Sequence, residues 1–355
     1  MLKLRRAVVV EVDPLTVELA GERRRAWADV GLVGEVRAGD EVVVNVEALD
    51  LGLGSGGFDV VHANLTRGLE AAGASEAHVM KLNYSSLQHP VAPLEPELSE
   101  DDTPARTMPV AVFHLHGQLA PLAWAAASAR PGLRIGYVQT PGGALPGALS
   151  DDVRDLTARG LLAGHVTAGP AHGGEQEAIT VIGAFDAAAR VLGWDACVAG
   201  PGPGILGSAS RLGHGGMAAL DTAHAALSLG MPTLLAPRLS STDPRPRHRG
   251  LSHHTRTVLE LLLAPVRVPV PEVAAEGWPL LEAGGLEGGS RGEALADLID
   301  ATKDHHDLAV ETVDLDGYVA SGLPTRTMGR EVKEDPLFFA AALAAGAALA
   351  AAVSG

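Results

Sequence analysis

The residues best suited to chemistry cluster in one segment, residues 240–255, which reads Ser240-Ser-Thr-Asp-Pro-Arg-Pro-Arg-His-Arg-Gly-Leu-Ser-His-His-Thr255. Guanidinium groups clamp phosphate or carboxylate oxygens in pairs, so Arg245 and Arg247 are candidate anion clamps. Imidazoles change charge near neutral pH and shuttle protons, so His248 and His253 are candidate acid/base groups, with Asp243 to orient them. Ser252 is a plausible N-cap for a following helix, whose positive terminus would assist anion binding beside His254. The bland alternative is a solvated loop whose arginines pair with the protein's own carboxylates.

Three further constellations stand out. Gly202-Pro-Gly-Ile-Leu-Gly207 satisfies the glycine pattern of a phosphate-approaching loop, so Gly202 and Gly204 could cradle an anion. Pro203 removes one amide donor, and the next strand ends at Arg238 rather than at an acidic ribose ligand, which argues against a dinucleotide. Gly142 and Gly143, His172, and His214 lie in or near other glycine-rich loops and are candidate ligand contacts. His114-Leu-His116 places two imidazoles two residues apart at a strand end, where both could face one ligand. They are the candidate metal ligands, with His165, His214 and Asp243 only loosely available to complete a metallohydrolase set. There is no G-x-x-x-x-G-K-[ST] loop.

These residues must be positioned by a scaffold, and the pattern of runs predicts one. Short β-branched runs at 7–12, 16–19 and 41–46, with further runs at 59–62 and 78–82, predict a small β-barrel or sandwich over residues 1–84. Residues 85–107, rich in Pro, Glu, Asp and Ser, read as a linker or strap. From 108 to 355 strands and helices alternate. Strands are predicted at 110–114, 134–139, 164–168, 196–200, 233–236, 266–270 and 308–313. Helices are predicted at 118–128, 150–158, 176–192, 216–229, 252–263 and 293–304, with an Ala-rich helix at the end. This rhythm predicts an α/β fold: a mainly parallel, doubly wound, Rossmann-like sheet with helices on both faces. The strand-to-helix connections are long and chemically rich, while the return connections are terse. Ligands of open α/β sheets bind outside the carboxyl ends of the strands, where the rich loops would lie.

Composition narrows the function. The formal net charge is −16, which opposes counterion release from a nucleic-acid backbone and attraction to an anionic bilayer. The single cysteine, Cys197, excludes an intramolecular disulfide and lies in an apolar run that suits a small buried hydrophobe. The chain opens on Met1-Leu-Lys-Leu-Arg-Arg and runs straight into a strand, so a cytoplasmic location is expected. The apolar run at 338–353 falls short of a bilayer span. It is expected to pack within the fold or to contact a second subunit, so a homo-oligomer stays open.

The segment from Asp243 to Thr255 also resembles a bacterial family catalogued as domain of unknown function 3866. Supporting it are Gly200-Pro-Gly-Pro-Gly, the turn Gly52-Leu-Gly-Ser-Gly-Gly57, and Thr327-Met-Gly-Arg-Glu with Asp335-Pro-Leu-Phe-Phe339. The resemblance spans nearly the whole chain and carries over an architecture but no catalytic residues and no cofactor. Local chemistry therefore sets the expectation: a cytosolic enzyme acting on a small anionic, even phosphorylated, metabolite. Two alternatives stand beside it, a non-catalytic metabolite sensor or scaffold and a metal-dependent hydrolase using His114 and His116.

Overall fold

The computed structural model describes residues 1–53, 56–69, 77–97, 107–272, 300–302 and 305–354. The chain divides into two compact units, Met1–Ala92 and Pro93–Gly355.

In the first unit, strands β1 (Leu4–Val12), β2 (Leu15–Leu19), β3 (Glu22–Trp27), β4 (Glu41–Asn45) and β5 (Asp59–Asn64) form a closed barrel in the order β1-β2-β3-β5-β4. Alternate residues point inward, and Ala7, Val9, Val17, Val42, Val44 and Val61 fill the interior. Strand β3 escapes a hydrophobicity reading because its sequence, ERRRAW, is charged until its last two residues. Arg24 on it is tied to Asp50 at 2.8 Å and to the buried Asp59 at 2.8 Å. Two short turns of helix, α1 (Val30–Val33) and α2 (Glu47–Asp50), and a hairpin of β6 (Val79–Lys81) with β7 (His89–Val91) complete the unit.

The second unit is built on eight strands: β8 (Val110–Val112), β9 (Ile135–Thr140), β10 (Gly164–Ala168), β11 (Gln176–Ala178), β12 (Ala196–Pro201), β13 (Thr233–Leu235), β16 (Arg267–Pro271) and β17 (Asp307–Glu311). The short β14 (Leu239–Ser240) and β15 (Gly250–Leu251) form a separate antiparallel pair. The sheet runs β11-β10-β9-β12-β8-β13-β16-β17, and every pairing in it is parallel.

Successive residues of each central strand feed opposite cores. Ala111, Ile135, Tyr137, Ala196 and Val198 join one core, with α3 (Leu119–Ala129) and the C-terminal helix, here α9 (Pro336–Ala352). Val110, Val112, Val138, Cys197 and Ala199 join the other, with α5 (Val181–Arg190), α6 (Ala218–Ser228) and α7 (His253–Leu261). Helices cover both faces, as a parallel sheet requires. Two short helices, α4 (Asp151–Ala158) and α8 (Leu315–Ala320), pack at the edge of the first core.

Two expectations need revision. The helix predicted at 176–192 is two elements, strand β11 and helix α5, divided at Ile179 and Thr180, where Thr180 caps the helix. The strand predicted at 110–114 ends at Val112. The helix predicted at 293–304 lies almost entirely outside the described residues, as do residues 98–106 of the predicted strap. Helix α9 is apolar all round and buried on nearly every position, which is how such a helix is stabilised in water. It packs so closely on α3 that a Cβ on Gly346 would sit 2.2 Å from the Leu122 carbonyl oxygen. Among the described residues no helix is long and apolar enough to cross a membrane.

Candidate functional site

Strands β12, β8 and β13 are neighbours at the middle of the sheet, and the loops leaving their carboxyl ends meet. From the first, residues 202–217, comes His214. Its Nε2 lies 3.0 Å from the Arg211 carbonyl, and its Nδ1 is buried without a partner. From the second, residues 113–118, comes His114. Its Nδ1 is 3.3 Å from the Gly216 carbonyl, while its Nε2 is also buried and unpartnered. The third loop, residues 236–252, is pinched at its base where β14 pairs with β15. It re-enters the fold at Ser252, which caps α7 by accepting from the His254 amide. The cap sets His253 and His254 as the first two residues of the helix. The same Ser252 hydroxyl lies 2.8 Å from His248 Nδ1.

Four imidazoles thus come together. The rings of His214 and His254 stack at 3.7 Å and 10°, and His253 stands edge-on to both, at 5.0 and 4.5 Å. His248 is 4.8 Å from His253 and 4.9 Å from His254.

Beside them is a dense ionic group. Asp243 is fully buried, and its carboxylate accepts from Arg245 (Nε and Nη2, both 2.9 Å), Arg238 (3.2 Å) and Arg330 (3.3 Å). Arg330 arrives from the tight hairpin of β18 (Arg326–Thr327) and β19 (Arg330–Glu331), and it also donates to Asp335 at 3.0 Å. Asp335 in turn accepts from the Ser240 hydroxyl at 2.6 Å and the Ser241 amide at 3.0 Å, fixing the start of the third loop. Three guanidiniums share Asp243, so the group as a whole is positive.

That charge, with burial, sets the protonation of everything nearby. Burial alone would raise the Asp243 carboxyl, but its hydrogen bonds and charge pairing with Arg245, with Arg238 behind, hold it well below the usual carboxylate range. Burial pulls Arg238 down to about 10. Burial, then Arg238 and Arg245, push His248 down to about 3. Burial, then His214 and Arg247, push His253 down to about 4. His254 and His214 are lowered chiefly by burial as well. The imidazoles are neutral at physiological pH.

These groups line a cavity of about 630 Å³, a volume that suits a small metabolite. Arg238, Arg245, Arg247 and Arg330 contribute to its wall with His214, His248, His253 and His254. Among the described residues that line it there is no carboxylate.

The structure gathers most of the residues picked from the sequence: His214, Arg245, Arg247, His248, His253 and His254 on the cavity wall, with Asp243 and Ser252 behind it. It does not bring in the glycines. A Cβ on Gly143 would lie 2.2 Å from the Gly202 carbonyl oxygen, one on Gly202 would lie 2.4 Å from Ala144 oxygen, and one on Gly142 2.5 Å from Gly215 oxygen. These residues allow two loops to interlock through close backbone contacts. Gly204, at φ +68°, serves the turn. His172 is buried, its backbone bonded to Leu145 and Gly147, away from the cavity lining.

Nor do the His114 and His116 rings take the same partners. Strand β8 stops before them, and while His114 turns toward Gly216, His116 turns to Ser150 (2.7 Å) and the Pro201 carbonyl (3.3 Å). Asp243 orients no imidazole, because the arginines occupy its carboxylate.

Sequence reasoning passed over Arg238, Arg330 and Met328. Arg238 had a positional signal, standing just past the carboxyl end of β13. Arg330 and Met328 sit in the Thr327-Met-Gly-Arg-Glu motif, whose distance along the chain hid its part in the cavity.

The family model described as "Protein of unknown function (DUF3866)" matches residues 25–346, and the chain belongs to that family. No curated protein and no solved structure is a match for the chain.

Proposed function

We propose that this member of the family is an enzyme acting on a small anionic metabolite, with a phosphoryl group as the best fit, at the carboxyl edge of its parallel sheet. The observation that carries the reading is the cavity wall: four guanidiniums and no lining carboxylate among the described residues. Planar guanidinium forks match phosphate and carboxylate oxygens in pairs. Asp243 takes Nε and Nη2 of Arg245, which fixes the guanidinium plane and leaves the Nη1 side to meet a ligand. His248, neutral and held by Ser252, is the proton-transfer group. It accepts a proton as a base, and an anion beside it would raise its affinity for that proton. His253 stands 4.8 Å away, ring centre to ring centre, on the same cavity wall.

One observation favours the alternative of a non-catalytic sensor. No carboxylate orients an imidazole here, and a binding module needs only donors. Substituting His248→Gln separates the two readings, because an enzyme would keep ligand affinity and lose turnover.

The binding part is tested by thermal unfolding of the full chain with inorganic phosphate, pyrophosphate and simple phosphate monoesters. A ligand at 100 times its Kd should stabilise the wild type by about 2.7 kcal/mol. The double variant Arg245→Met with His253→Ala should lose that gain. A ligand that stabilises the double variant as well as the wild type would show the reading to be wrong.

A further inference from the structure

We propose that His214, His253 and His254 hold a divalent transition-metal ion, whose open coordination position faces the arginine-lined cavity. The three side chains each offer one nitrogen, and the three nitrogens lie within 4.8 Å of one another. Zn²⁺ takes imidazole nitrogens at about 2.0–2.1 Å, which sets them roughly 3.4 Å apart in a tetrahedral site. Small ring rotations, with the stacked His214 and His254 rings splaying, close that gap.

His214 supplies the independent observation. It is buried, its Nε2 faces the Arg211 carbonyl at 3.0 Å, and its Nδ1 meets no partner. A carbonyl on one ring nitrogen fixes the proton there and leaves the other lone pair free, which is how metal-bound histidines are oriented. A buried acceptor without a donor is costly unless something coordinates it. His254 Nδ1 meets Arg238 Nη1 at 3.4 Å, too long to commit its lone pair firmly.

Gly216 makes the arrangement possible. A Cβ there would lie 2.8 Å from His254 Nδ1 and 3.0 Å from His214 Nδ1, so these two nitrogens converge on one small space. A set of nitrogen ligands selects Zn²⁺, Co²⁺ or Ni²⁺ over Mg²⁺ or Ca²⁺.

The inference goes beyond the anion reading and couples to it. The arginines repel a lone cation, so an anion bridging the ion and the guanidiniums strengthens both.

The experiment is a titration of the chelator-treated, full-length protein with Co²⁺, read by the visible absorption of four-coordinate Co²⁺, and with Zn²⁺ by elemental analysis after gel filtration. One ion per chain is expected. His253→Ala should weaken it by more than the roughly 10–100-fold that loss of an outer partner costs. His214→Ala should do the same, and the part-buried His253 keeps the test valid if the His214 variant does not fold. Arg245→Met should keep the ion. Inorganic phosphate should tighten it by roughly 5–150-fold, the usual span for coupled sites. An ion that persists in both histidine variants overturns the proposal. So does a wild type that takes up no ion while phosphate still stabilises it, an outcome that leaves the anion reading standing. An ion lost in His253→Ala but indifferent to phosphate upholds the metal site and counts against the anion reading.

Discussion

Two groups of histidines lie on the same sheet and its loops, and they are built in opposite ways. In the cavity group, His214 leaves a ring nitrogen without a partner, and arginines crowd the rings. In the second group, His116 has both ring nitrogens engaged, by Ser150 and Pro201. His165 stacks on Tyr137 at 5.0 Å and 6° and bonds Gln139 at 3.1 Å. Burial lowers His116 to about 4 and His165 to about 3, so both groups are neutral. Depressed basicity therefore does not mark a functional histidine here. What separates the two groups is unmet valence and the charge of the neighbours. The second group packs the fold, and the first is the group proposed above to meet a ligand.

The sharpest way to break this contrast is to remove the charge that organises the cavity group. Asp243→Asn leaves the buried Arg238 without its counter-ion, and chemical denaturation should show a loss of about 3–5 kcal/mol. Arg238→Met should cost clearly less, because Asp243 keeps Arg245 and Arg330. Equal losses would mean that the cluster does not act as a shared-carboxylate unit.

The packing group is read through pH. A histidine whose folded pKa lies below its unfolded value near 6.5 leaves the unfolded chain binding more protons, so stability falls as pH drops from about 6.5 toward 4. His116 and His165 should each contribute a slope of about 1.4 kcal/mol per pH unit across that window. His165→Gln should flatten the pH dependence of the urea midpoint by one such share. An unchanged slope would show that His165 titrates normally.

Smaller effects test whether the glycine loops belong to either group. Gly215→Ala, whose Cβ would collide with the Gly142 carbonyl, should cost about 1–3 kcal/mol of overpacking in thermal unfolding. Gly204→Ala meets no atom within 4 Å and should cost only about 1–2 kcal/mol for its left-handed φ. If Gly204→Ala instead abolishes phosphate binding while the fold holds, the loop is an anion cradle after all.

Much of the scaffold was legible because its cues are local. The alternation of apolar strands with capped helices predicts the parallel sheet, and Ser252 reads as an N-cap from its place before an amphipathic run. Strand β3 was hidden because barrel packing, rather than its own apolar content, makes ERRRAW a strand. The split at Ile179–Thr180 was hidden because a three-residue edge strand leaves no periodicity. At the site, the polar segment 240–255 named most of the cavity wall. The glycine motif records backbone freedom and not its use: Gly142, Gly143 and Gly202 pack against carbonyls of a facing loop, and Gly204 makes a turn. The pair His114-Leu-His116 misled because the strand ends at Val112, two residues early, and the period-two rule ends with it. Arg330 could not be placed by any local rule, since its partner Asp243 lies far back in the chain.

That last contact has a consequence for how the cavity comes into being. Chains emerge from synthesis N-terminal end first. The loop bearing Asp243, Arg245 and His248 is made well before Arg330 and Asp335, which tie it down. Until that late stretch arrives and α9 docks, the loop lacks the anchors for Ser240 and Ser241. The pocket is thus completed among the last events of assembly, and a chain cut short before Arg330 would carry its histidines and most of its arginines with no finished cavity to hold them.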